Sequence, residues 1–215
     1  MKYTIKYPLY ELDLNHAAGN RIVIGIDEAG RGPLAGPVAA AAVALNLNDP
    51  IPGLDDSKKL TPKKRDEIYH EIISRAMAWS VEMVDEKSID KLNILKASLT
   101  AMRIAAMKLN VKNPVYLVDG NRMVDELRPQ INIIGGDSLS ASIAAASVIA
   151  KVTRDRFMIE ISGNYPEYGF ERHFGYATRE HLAALDKYGP CPLHRKSFEP
   201  VRIALQRKNG FGLFS

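Results

Sequence analysis

Arg21-Ile22-Val23-Ile24-Gly25-Ile26-Asp27-Glu28-Ala29-Gly30-Arg31-Gly32-Pro33 is the stretch from which the fold is read. Its apolar part alternates with period two. Ile22, Ile24 and Ile26 share one face, and Val23, Gly25 and Asp27 share the other, which is the pattern of a strand. Two adjacent carboxylates just past an apolar strand are costly unless something positive neutralises them. The glycine-rich turn that follows lets a ligand come close to the backbone.

Outward from this strand, Val38 to Leu45 is a second strand candidate across a Gly/Pro-rich turn. Thr61-Pro62 has the form of an N-cap followed by Pro at the first helical position. Ile68, Ile72, Ile73, Ala76 and Met77 then form a helical stripe, Ala78–Val84 a weak third strand, and Asn93–Leu109 a second helix. Two short apolar strands, Val115–Val118 and Ile131–Ile134, run into Asp119-Gly120 and Gly135-Gly136-Asp137. Residues 139–161 give the strongest helix signal, and Thr178 caps a helix that stops at Gly189-Pro190. Strands first, then α/β alternation, then helices predict an α/β fold: a mixed sheet flanked by helices with a helical C-terminal extension.

The 215 residues suit one domain with an appendage. Residues 1–160 are the expected catalytic core, with a leader of about 20 residues. Residues 161–215 are expected to be a basic helical part packed on that core. A hydrophobic fraction of 46% excludes an intrinsically disordered chain. No run approaches the ~18 apolar residues of a membrane span, and one Cys excludes an internal disulfide framework. A cytoplasmic monomer is therefore the expectation. Residues 171–215 hold eight Lys/Arg against four Asp/Glu, a difference equal to the whole chain's surplus of +4. That asymmetry fits a polyanion partner and fits a solvated basic face equally well.

Asp27, Glu28, Asp119 and Asp137 issue from three strand ends, and side chains at such ends converge on one crevice. Hard oxygen ligands suit Mg²⁺ or Mn²⁺. Two such ions roughly 3.5–4 Å apart can hold the attacking and leaving oxygens of a phosphoryl displacement, so no Ser or Cys nucleophile is needed. Asp119 or Asp137 alone would read as a turn acid, but the adjacent pair Asp27-Glu28 would not.

Six ordered motifs carry a family resemblance: Asp27-Glu28-Ala29-Gly30-Arg31-Gly32-Pro33, Asp56-Ser57-Lys58-Lys59-Leu60, Asp119-Gly120, Ala144–Ser147 with Ala150–Asp155, Gly175-Tyr176, and His194-Arg195-Lys196-Ser197-Phe198. Over residues 21–204 the chain resembles the type 2 ribonucleases H, specifically bacterial ribonuclease HII. The resemblance implies a ribonuclease-H-like fold and endonucleolytic cleavage of the RNA strand in RNA–DNA hybrids. It also implies incision at single ribonucleotides embedded in duplex DNA, leaving a 3′-hydroxyl and a 5′-phosphate. By motif match, Asp27, Glu28, Asp119 and Asp137 take the metal-binding catalytic positions. Gly30-Arg31-Gly32 takes the place that senses the 2′-hydroxyl through backbone groups, and Tyr176 the place that contacts the junction sugar. Ser57, Lys58 and Arg195 take substrate-binding positions. The 2′-hydroxyl alone distinguishes a ribonucleotide from its DNA neighbours, and an aromatic ring tolerates any base.

Other features carry plainer readings. The glycine spacing is not a dinucleotide fingerprint. His173, His181, Cys191 and His194 fit no standard zinc spacing. Lys63, Lys64 and Arg65 read as a solvated helix start, Asp155 as an ion-pair partner, and Trp79 as core. Two positions depart from the family pattern: Gly135 and Phe174 stand where Lys is usual. The rival readings are a ribonuclease HIII-like enzyme needing ribonucleotide runs, and a non-catalytic hybrid-duplex-binding protein. Arg31 between the glycines, Tyr176 and the absence of an extra N-terminal domain count against the first, and four intact acids against the second.

Overall fold

A computed structural model describes residues 7–208. Its centre is one five-stranded sheet built from β1 (Ile22–Ala29), β2 (Val38–Ala44), β3 (Ala78–Val84), β4 (Pro114–Asp119) and β5 (Gln130–Ile133), in the order β3-β2-β1-β4-β5. β1, β2 and β3 form an antiparallel meander. β4 and β5 add in parallel on the far side of β1, with Ile26 opposite Val118 and Asp119 opposite Ile133. β1 is thus central, and its two residue sets face two separate cores. Ile24 and Ile26 pack with Ala97, Ala101 and Ala105 of α4 (Ile94–Met107), while Val23 packs with Ile143 of α5 (Ala141–Ser162).

The alanines of β2 keep both helix layers close to the sheet, every one fully buried. Gly25 allows the closest approach. A Cβ there would lie 2.0 Å from the Ser142 carbonyl carbon, so only glycine lets α5 touch β1. α2 (Pro62–Arg75) adds Ile68 and Ile72 to the α5 face and begins as read, with the Thr61 side chain accepting from the Lys64 amide. α4 starts at Asn93, which caps the Lys96 amide and also ends the short α3 (Glu86–Leu92).

The expected leader is structured where it is described, from residue 7 on. It folds into α1 (Leu9–His16), whose buried Asp13 accepts from Ser140 Oγ (2.6 Å) and the Ser142 amide (2.8 Å). An acid at these orphan donors stabilises the start of α5. At the other end, α6 (Phe170–His173), α7 (Arg179–Tyr188) and α8 (Glu199–Lys208) pack through Tyr168, Phe170, Leu185 and Val201 onto Leu34, Ala35 and Met158. Two expectations fail here. Trp79 lies on the edge strand and is 37% exposed, because no element covers the outer side of β3. Met77 falls beyond α2, in the link to β3, and is exposed.

Candidate active site

β1 runs on through Ala29, so Asp27 and Glu28 lie within the strand, paired with Ala41 and Ala40, rather than past its end. The small β2 partners supply the ladder that extends it. Asp119 closes β4 beside them, and Asp137 follows β5 in the 3₁₀ turn Gly136–Ser138. Each acid has a local hold. Asp27 Oδ1 accepts from the Glu28 amide (2.7 Å), Asp119 Oδ1 from the Gly136 amide (2.7 Å), Glu28 pairs with Arg31 (3.1 Å) and Asp137 with Lys58 Nζ (3.0 Å).

Burial pushes the Asp27 carboxyl well above its usual value, and the charges of Glu28, Asp119 and Asp137 push it further. Glu28 and Asp119 are raised as well, first by burial and then by neighbouring acids. The four carboxylates therefore sense one another, and gathering them costs free energy that a cation would return. Among the described residues, no three His, Cys, Asp or Glu side chains already surround a point closely enough to hold an ion. Arg31 draws Glu28 aside and Lys58 draws Asp137 aside, so the acids are assembled without being closed. A set of hard oxygens already attracting cations fits a divalent ion.

Beside the acids lies the glycine turn, which is built from below. Arg195 is wholly buried and gives its guanidinium to backbone carbonyls: Nε to Gly36 (2.9 Å), Nη1 to Arg31 (3.0 Å), and Nη2 to Gly30 (2.6 Å) and Pro37 (3.1 Å). Arg154, equally buried, holds Pro37, Ala35 and Phe174. Gly30 has φ +94°, and a Cβ there would strike Arg154 Nε at 2.1 Å. Tyr176 stands 41% exposed next to the turn, its Cε1 3.7 Å from where a Gly32 Cβ would be.

A comparison of the sequence with known families gives the ribonuclease HII model, matched over residues 24–201. The chain belongs to the ribonuclease HII family. A ribonuclease HII from Xanthomonas axonopodis pv. citri is 51% identical over 193 residues, covering 89% of this chain and 79% of the relative. Among solved structures, ribonuclease H2 from Pyrococcus horikoshii OT3 superposes with a TM-score of 0.70 at 27% identity, covering 87% of this chain and 98% of that one. The Bst-RNase HIII complex with Mn²⁺ reaches 0.64 at 19%, covering 89% and 71%, and shares the fold. The chain is a type 2 ribonuclease H of the divalent-metal-dependent ribonuclease HII family, with the ribonuclease-H-like sheet.

Against the ribonuclease HII motifs, the remaining site residues divide. Lys58 reaches the acids from solvent, its ammonium on Asp137. Ser57 is buried instead of presented, with its amide on Ser147 Oγ and its carbonyl accepting from Arg65. Arg65 is thus a tether for the loop, also donating to Leu60, rather than a solvated helix start. Arg195, read as a substrate contact, has its guanidinium directed into the turn with no exposed surface. Asp155 does pair with Lys151 (2.8 Å), whose ammonium lies over the Phe174 ring (5.0 Å). Arg154 drew no role from sequence, although it continues the buried stripe Ala146, Ala150, Arg154, Met158 at four-residue spacing. An Arg inside such a stripe is a buried Arg, and that was the available signal.

Proposed function

We propose that this ribonuclease HII relative incises duplex DNA at single ribonucleotides as well as hydrolysing the RNA strand of hybrids, with Asp27, Glu28, Asp119 and Asp137 as its metal-binding catalytic residues. Two Mg²⁺ or Mn²⁺ ions are the proposed complement, and they would neutralise developing phosphate charge and acidify water when bound. The observation that carries the reading is the mutual electrostatic pressure among the four acids beside a turn of positive-φ glycine. Gly32, on the exposed side of the turn, offers its backbone to a 2′-hydroxyl while Arg195 holds the buried Gly30 carbonyl from below, and Arg31 is poised to leave Glu28 for phosphate. Lys58 is the proposed second phosphate contact. Tyr176 offers a ring face to the junction sugar. A cytoplasmic monomer whose C-terminal helices form one unit with the core completes the proposal. Among the described residues, no helix is long and apolar enough to cross a membrane.

The test is a duplex with one embedded ribonucleotide, incubated with Mg²⁺, Mn²⁺ or EDTA. The cut is mapped on both strands and its ends are identified chemically, with 3′-hydroxyl and 5′-phosphate expected. Cleavage confined to runs of several ribonucleotides would favour the ribonuclease HIII-like reading, and binding without cleavage a non-catalytic one.

The two missing lysines predict a smaller electrostatic share in binding than is usual for the family. Gly135 has φ +67° with open space around a Cβ, and Phe174 has φ +50° beside Lys151. Gly135→Lys and Phe174→Lys are each expected to steepen the slope of log affinity against log salt by about one unit. Gly135→Lys carries about 1 kcal/mol of backbone strain. An unchanged slope in both variants removes the idea.

A further inference from the structure

His173, His181 and His194 are buried in one cluster that the proposed chemistry does not use. Their hydrogen bonds fix all three tautomers. His194 Nδ1 accepts from the Cys191 amide (3.0 Å), so its proton sits on Nε2 and is given to His181 Nε2 (3.0 Å). His181 must then carry its proton on Nδ1, where it donates to the Tyr176 carbonyl (2.9 Å). His173 Nδ1 accepts from the Gly175 amide (3.2 Å), which leaves Nε2–H to donate to the Tyr168 carbonyl (2.8 Å). The His173 and His181 rings stack at 4.6 Å. Each nitrogen has one role, with the Cys191 thiol also lying 3.1 Å from the accepting His194 Nδ1, and the set closes with every ring neutral.

Both ends of this set grip Gly175-Tyr176. From the opposite side the Leu34 amide donates to the Gly175 carbonyl (2.8 Å), which joins the pair to the glycine turn. A Cβ on Gly175 would lie 2.6 Å from the Ala35 carbonyl oxygen, so the approach is tight. The Tyr176 ring is partly open, with Lys151 and Arg154 beside its face (5.7 and 5.9 Å) and its edge toward Gly32. The Tyr176 backbone sets where the ring starts: its amide donates to the His173 carbonyl (2.9 Å), and its carbonyl accepts from the Thr178 amide (2.8 Å) as well as from His181. Apolar side chains would fill the cluster at lower desolvation cost, so the imidazoles are explained by what they hold.

We propose that His173, His181 and His194 form a tautomer-locked relay whose function is to position Tyr176 against the glycine turn for substrate. It rests on the reading of Tyr176 as a sugar-contacting residue. The three histidines are positioning residues and do not touch the substrate.

The test is a double-mutant cycle on the full chain, reading kcat and KM on the single-ribonucleotide duplex with melting temperature followed in parallel. His181→Phe keeps the ring volume and loses both hydrogen bonds. It should lower kcat/KM about tenfold, mostly through KM, when Tyr176 is present, and less than about twofold in a Tyr176→Ala background. His181→Asn, whose amide can still donate to the Tyr176 carbonyl, should recover most of the loss. Should His181→Phe not fold, His194→Asn keeps an acceptor for the Cys191 amide, removes the Nε2–H that fixes the His181 tautomer together with the ring contacts to Tyr168 and Phe170, and is read in the same cycle. Equal losses in both backgrounds, or His181→Asn no better than His181→Phe, overturn the relay alone. A Tyr176→Ala variant as active as the parent overturns the Tyr176 reading and the relay together.

Discussion

Asp27→Asn is expected to reduce cleavage at least about 10³-fold while raising the melting temperature of the metal-free protein by about 3–6 °C. The first effect follows from removing a charged oxygen at the centre of the proposed metal site, where several kcal/mol of transition-state stabilisation arises. The second follows from burial. Asp27 is 5% exposed and surrounded by three like charges, while its one local hydrogen bond, from the Glu28 amide, is equally available to an Asn oxygen. Its folded-state carboxyl lies above the ordinary value of 3.8, so the metal-free fold loses stability from this group as pH rises past that value. Asn removes the loss. Calorimetry in EDTA and cleavage in Mg²⁺ measure the two effects on the same preparation. Addition of Mg²⁺ should stabilise the parent more than the variant. A variant that cleaves within tenfold of the parent, or that melts lower without metal, contradicts the assignment.

Arg195→Met should cost about 3 kcal/mol of stability, a fall of roughly 6–12 °C, and with it the ability to cut at a ribonucleotide. Three carbonyls, those of Gly30, Arg31 and Gly36, lose this donor at once, while Pro37 keeps its bond from Arg154 Nε; each orphaned buried group costs about 1–3 kcal/mol. Relief of a buried cation offsets part of this. Burial and the nearby Arg154 push the Arg195 guanidinium down to about 9, and neither arginine has an ion-pair partner among the described residues. The carbonyl losses win because there are three of them. Arg195→Lys keeps the charge but cannot span four acceptors with one ammonium, so it should recover little. Chemical denaturation gives the stability, and cleavage per folded molecule gives the activity. A loss under about 1 kcal/mol would mean that the turn holds its shape without Arg195.

What could be read from the sequence was what depends on neighbours along the chain. Period two in residues 21–27 separated the two faces of β1, and each face indeed meets its own helix layer. Thr61, Asn93 and Thr178 announced helices because a cap bonds to amides only three residues on. The acids could be grouped because strand ends in a parallel sheet share an edge. What stayed hidden depends on partners far away in sequence. Arg195 matched a substrate-binding position of the family motif, and nothing nearby in sequence shows that its carbonyl partners lie 158–165 residues earlier. Asp13 gave no sign that it caps a helix starting more than 120 residues later. Trp79 looked like core because size and apolarity do not reveal that β3 is an edge.

Helix α5 begins three residues after Asp137, at the Ser140 cap, and carries Arg154 far along the same unbroken rod. One end abuts the acids and the other grips the carbonyls of Ala35, Pro37 and Phe174. At about 1.5 Å per residue, the fourteen residues from cap to arginine set a fixed span of roughly 21 Å. The helix is in effect a strut from the turn that carries Asp137 to the underside of the glycine turn. Adding or deleting one residue in it would turn Arg154 by about 100° and empty its grip. Of the intervals in the chain, the one from Ser140 to Arg154 is therefore a gauge whose length the packing sets.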